Sequence, residues 1–198
     1  MLCLRSSTEA EWLQRVIANT AEVLVDHAHC ERKAASNALG LLARFPDHPD
    51  LAAPMLALAR EELDHYEAVL KILETRGIPL VAQPPSGYQA QLFALVGKAG
   101  GGRGGLDKRT DLLLVAALIE ARSCERFRLL SEHHPDPELR ATFRGLLESE
   151  ARHHAVFVRL AEGPQPEKRD LVRARLAELA EREREILERM PKVARIHA

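Results

Sequence analysis

Apolar residues recur along this chain at intervals of three and four, with no run of alternating β-branched residues, so the pattern predicts helices throughout. The first predicted helix starts near Thr8, where Thr8-x-x-Glu11 has the spacing of a capping box, and runs to about Ala43. Phe45-Pro46-Asp47-His48-Pro49 breaks it. A second helix is expected from Asp50 to about Arg76, stopped by Gly77 and Pro79. A long connection, Gly77 to Leu106, holds Pro84-Pro85 and a glycine-rich run around Arg103, with a short helix expected near Tyr88–Lys98. The third helix runs from Asp107 to near His133. The fourth opens at Asp136-Pro137, an N-cap followed by proline at the first helical position, and ends near Ala161. After Gly163-Pro164 a charged amphipathic helix spans Glu167 to Met190, with Leu171, Leu176, Leu179, Ile186 and Met190 as its packing face.

Two short-looped hairpins joined by one long crossover make the connectivity of an all-α, ferritin-like four-helix bundle. The expectation is a single domain over 1–198, with the bundle at 8–161 and an additional C-terminal helix at 165–190. Residues 97–110 are glycine-rich but lack the phosphate-loop spacing and lie between helices, which excludes a nucleotide-binding loop of that kind.

Composition sharpens this picture. Of 198 residues, 46% are hydrophobic and 29% charged but only 4% aromatic, the balance of a soluble helical protein. The net charge of −1 gives no global attraction to nucleic acid, so any RNA contact must be local. Cys3, Cys30 and Cys124 are scattered and form no C-x-x-C pair, as expected of a reduced, cytoplasmic protein without thiolate-held metal. No signal-peptide or membrane-spanning segment is expected.

Two Glu-x-x-His pairs carry the candidate chemistry, Glu62–His65 and Glu150–His153. Roughly one such pair would arise by chance in a chain this rich in Glu and His, so the motif alone is weak. Its placement is stronger. Each pair lies on the second helix of a hairpin, and Glu31 precedes Glu62 by 31 residues as Glu120 precedes Glu150 by 30. Measured from the predicted turns, each glutamate meets its partner at nearly equal height. All four also interrupt the apolar stripe of their own helix: Leu24, Ala28, Ala35 and Ala38 share a face with Glu31, and Leu113, Ala116, Ala117 and Phe127 with Glu120. Four inward carboxylates require compensating positive charge. Two divalent cations would supply it, and oxygen-rich ligands with imidazole suit iron or manganese better than zinc. Glu61, Glu67, Glu125 and Glu148 read as solvent-facing or at most as groups behind the ligands, and His27, His29, His154 and Asp64 could partner the ligands but read first as satisfied or exposed polar residues.

At these residues the chain resembles the tRNA-(2-methylthio-N6-isopentenyladenosine) hydroxylases. The resemblance lies in Asp26–Ala35, in Glu61-Glu62-Leu63-Asp64-His65, in Ile119-Glu120-Ala121-Arg122-Ser123-Cys124-Glu125-Arg126-Phe127, and in Ser149-Glu150-Ala151-Arg152-His153. It implies a non-haem di-iron monooxygenase with Glu31, Glu62, His65, Glu120, Glu150 and His153 as iron ligands. It further implies O₂ as co-substrate, electrons from a separate reductase, and a substrate base next to the anticodon of tRNA whose isopentenyl group is hydroxylated. Spacing alone leaves open an iron-handling protein of the ferritin or rubrerythrin kind, a manganese catalase, and a metal-free helical interaction module. For the tRNA, the expected basic surface is Lys98, Arg103, Lys108 and Arg109 on the crossover, with Arg169, Arg173, Arg175, Lys192 and Arg195 beyond it.

Overall fold

A computed structural model describes residues 2–97 and 106–197 of the chain. Among these, seven helices and no strand are found: α1 (Ala10–Ala18), α2 (Thr20–Arg44), α3 (Pro49–Thr75), α4 (Tyr88–Phe93), α5 (Lys108–His133), α6 (Pro137–Glu162) and α7 (Pro166–Arg189). They fall into two compact units. One comprises the N-terminal residues to Leu13, Ser86–Lys192 and His197; the other comprises Gln14–Pro85 and Val193–Ile196.

The second unit is the α2–α3 hairpin. Its apolar stripe, Leu24, Ala28, Ala35 and Ala38 on α2 with Met55, Leu58, Ala59 and Val69 on α3, is buried, while Arg32 and Ser36 stay in water. The helix predicted as continuous from Thr8 to Ala43 is interrupted at Asn19. There the side-chain amide donates to the Arg15 carbonyl and the Thr20 hydroxyl to that of Ile17, local bonds that compete with the helical ladder. The hairpin turn falls at the predicted proline-rich break. At the far end Gly77 adopts φ +64°, and the Ile78 N–H bonds the Leu73 carbonyl, closing α3 with a left-handed cap that a side chain would strain.

In the first unit α5 packs against α6, α7 and α4. The predicted Asp136 cap forms, its carboxylate accepting the Glu138 and Leu139 N–H groups, and at the expected start of α5 the Asp107 carboxylate accepts the Thr110 N–H at 2.6 Å. Every residue of α5 from Thr110 to Phe127 is buried, so this helix is enclosed on all sides. Two ion-paired forks tie it to α7. Arg122 Nε and Nη2 donate to the two Glu183 oxygens at 2.8 and 2.9 Å, and Arg175 Nε and Nη2 to the two Asp111 oxygens at 2.9 and 3.0 Å. Asp111 precedes Arg122 as Arg175 precedes Glu183, so α5 and α7 run parallel.

Several sequence expectations are corrected here. Leu171 is exposed and Ile186 half-buried, while Leu176, Leu179 and Met190 are buried as expected, joined by Val172, Arg175, Ala180 and Glu183. Glu125 is buried rather than solvent-facing. Thr8 caps no helix; its N–H and hydroxyl both donate to Glu125 at 2.7 Å, because that carboxylate needs donors. The short connection helix stops at Phe93, before the residues around Lys98.

Candidate metal centre

Each unit carries one glutamate–glutamate–histidine set. In the α2–α3 unit Glu31 and Glu62 are buried and His65 is partly so, and one ligand atom from each lies within 4.8 Å of the others. Helical geometry does this: Glu62 and His65 stand three residues apart on one face of α3, and Glu31 faces them from the middle of α2. His65 Nδ1 lies 3.7 Å from Glu31 Oε2 and 3.6 Å from Glu62 Oε2. Those separations are long for hydrogen bonds. They approach the roughly 3.0–3.6 Å between neighbouring ligand atoms that each stand about 2.1 Å from a shared ion.

The electrostatics carry the same demand for positive charge. Burial by itself would raise the Glu31 carboxyl, but the His27 and His65 imidazoles outweigh it and hold that carboxyl well below the usual range. Burial would likewise lower His65; bonds and charge from Glu31 and Glu62 overcome this and push it up to about 10.

In the α5–α6 unit, Glu120, Glu150 and His153 are all buried and again offer ligand atoms within 4.8 Å of one another. Leu113, Ala116, Ala117, Cys124 and Phe127 on α5 surround Glu120, and Phe143, Leu146 and Phe157 are buried along the stripe that Glu150 interrupts. Phe127 and Phe143 stack at 5.7 Å between centroids. His154 stands beside this set but turns away, its Nδ1 2.7 Å from the Ala117 carbonyl oxygen. Two buried carboxylates with an imidazole fit iron or manganese, so the donor chemistry of both sets suits the implied metal.

One neighbour was undervalued in the sequence. His27 is not merely a satisfied core residue, because its Nε2 lies against Glu31 Oε1. Its position four residues before Glu31 on the same helix is the signal that points to it. His29 does follow expectation, bonding the Val81 carbonyl, and Asp64 is exposed.

The expected RNA surface fares unevenly. Lys98 and Arg103 lie outside the described residues, and Lys108 and Arg109 are half-buried at the start of α5. Arg175 is committed to Asp111, and Arg195 pairs with Glu22 and Asp26, so these two are internal structural cations. Arg169, Arg173 and Lys192 remain exposed. Among the described residues, no helix is long and apolar enough to cross a membrane.

The chain is similar to known proteins along its whole length. A family profile described as tRNA-(MS[2]IO[6]A)-hydroxylase (MiaE) matches residues 1–198. A Pseudomonas putida protein named tRNA 2-(methylsulfanyl)-N(6)-isopentenyladenosine(37) hydroxylase is 44% identical over 154 residues, covering 78% of this chain and 72% of its own. A Salmonella typhimurium protein of the same name is 35% identical over 115 residues, covering 54% of this chain and 38% of its own. Among solved structures, "Protein 43 with aldehyde deformylating oxygenase activity from Synechococcus" matches with a TM-score of 0.90 and 42% identity, covering 100% of this chain and 96% of that one.

Proposed function

Since the chain belongs to the MiaE family of tRNA hydroxylases, we propose that Glu31, Glu62, His65, Glu120, Glu150 and His153 are the ligands of two iron ions that its reaction needs. The protein is an enzyme, a tRNA-(2-methylthio-N6-isopentenyladenosine) hydroxylase with a ferritin-like fold suited to a di-iron centre. Its substrate carries an isopentenyl group whose C–H bond no amino-acid side chain can oxidise; bound iron supplies the capacity to use O₂ for that step. The balance is one O₂, two electrons and two protons per C–H converted to C–OH, with one water released. The electrons come from a separate reductase. The whole chain acts as one functional domain, in the cytoplasm, on the anticodon stem-loop of tRNA.

The residues have separable tasks. Four carboxylates and two imidazoles neutralise and hold the cations. Leu58, one turn before Glu62 on α3, and in the other unit Ala117, Phe127 and the half-buried Leu147 keep water from their own glutamates and offer apolar surface to the isopentenyl tail. The observation that carries this reading is the repeat itself: two Glu, Glu, His sets with buried carboxylates, one per hairpin, in a chain 44% identical to a tRNA hydroxylase. An iron store of the ferritin kind, the main rival on spacing alone, gives way to the family.

The test supplies reduced, iron-loaded protein with O₂ and either tRNA bearing the 2-methylthio-isopentenyl base or a long-chain aldehyde. The second arm takes up the activity named for the Synechococcus protein. Mass spectrometry of the nucleosides is expected to show gain of one oxygen, absent in Glu120→Ala and His153→Ala. Turnover of the aldehyde alone, or protein that binds no iron, would overturn the proposal.

A further inference from the structure

Glu31 uses its two oxygens differently. Oε1 lies against Nε2 of His27, one helical turn earlier on α2. Oε2 faces His65 Nδ1 at 3.7 Å, the same nitrogen that Glu62 Oε2 approaches to 3.6 Å. Both members of the α2 pair are buried, His27 at 1% and Glu31 at 3% exposure, so water does not compete for the contact. A carboxylate bonded through one oxygen to its own helix cannot rotate about its terminal bond without losing that contact. At the equivalent place in the other hairpin, four residues before Glu120, stands Ala116, which carries no polar side chain.

We infer that His27 is a positioning residue that grips Glu31 Oε1 through its Nε2–H and so presents Glu31 to a metal ion as a one-oxygen ligand through Oε2. Glu120 has no such latch from position 116, where Ala116 stands. The two glutamate sets therefore differ at this position, Glu31 of the α2–α3 set being the latched one. This rests on the proposed role of Glu31 as an iron ligand. His27 touches neither substrate nor reacting atoms in this assignment and acts only through Glu31.

Anaerobic titration of the metal-free protein with ferrous iron tests it, with Mössbauer spectra of the loaded forms and thermal melts of the metal-free forms. His27→Leu removes the donor, whereas His27→Gln returns an N–H at about the reach of Nε2. The expected result is two irons bound by the wild type and a loss of about 10- to 100-fold in affinity for one iron in His27→Leu. One Mössbauer component should change and the other persist, and His27→Gln should restore affinity to within a few-fold. If His27→Leu does not fold, His27→Asn, whose donor falls short of Oε1, is expected to show the same weakened site. Unchanged affinity in a folded His27→Leu or His27→Asn overturns the inference alone. Wild-type protein binding no iron overturns the reading it rests on as well.

Discussion

Helices α2 and α5 place their glutamates in the same register, yet they meet the rest of the protein in opposite ways. The outer face of α2 is polar and wet at Arg32 and Ser36, and the histidine it buries one turn before Glu31, His27, contacts that glutamate. Helix α5 has no wet face between Thr110 and Phe127. On the side away from Glu120 it buries charge instead. Arg122 contacts Glu183, Glu125 and Ser6, the Tyr88 hydroxyl donates to Glu183 at 3.0 Å, and the Arg126 guanidinium lies 4.7 Å from the Trp12 ring centroid. Burial would lower the Arg122 pKa, but Glu183 carries it above the ordinary arginine value. Burial and then the Arg122 charge bring Arg126 down to about 10. The lesson is that one inward glutamate placement can be scaffolded either by an amphipathic helix or by a wholly enclosed one. The second is possible only where every buried charge has its partner.

Breaking the enclosed side should have the largest effect. Arg122→Leu leaves the fully buried Glu183 with the Tyr88 hydroxyl but without its bonded guanidinium, and is expected to destabilise the protein by about 3–5 kcal/mol. In a thermal melt that corresponds to a fall of roughly 6 °C or more for a chain of this size. Replacing Glu183 by Leu at the same time should recover much of the loss, since an apolar pair needs no compensation. A double variant no more stable than the single one would remove the fork from the account.

A cap variant gives a middle-sized effect. Asp107→Ala should cost about 1 kcal/mol at neutral pH. Burial alone would raise the Asp107 carboxyl, but the Thr110 N–H and hydroxyl, with Lys168, hold it below its usual value. A depressed carboxylate pKa stabilises the fold above the unfolded value near 4, and that stability is lost as pH falls through the folded value. Melts of wild type and Asp107→Ala should therefore converge in acid; a difference that persists below pH 3 would count against the cap as its origin. The smallest effect belongs to the wet side of α2. Arg32→Ala is expected to change stability by less than about 0.5 kcal/mol, and a larger loss would mean that this face is not simply solvated.

How far the site was legible follows from the same comparison. A helix advances by a fixed rise, so intervals counted between Glu31, Glu62, Glu120 and Glu150 already describe heights in space. The apolar stripes that these residues interrupt say which way each faces, and the tRNA-hydroxylase stretches add the chemistry. His27 sat within the same reach, four residues from Glu31, but a histidine on an apolar face has several ordinary explanations.

Local rules thus determined most of the helical plan, though not the break at Asn19: the proline and glycine stops, the Asp136 cap, the inward glutamates and their repeat. Tertiary structure alone decided the partners of buried charge. Arg122 finds Glu183 across 61 residues and Arg175 finds Asp111 across 64, and no periodicity within either helix distinguishes these arginines from the solvated ones around them. The physical reason is range. Helical phase is written in neighbours three and four residues apart, whereas an ion pair forms only after packing has excluded water and brought distant carboxylates within 3 Å of a guanidinium.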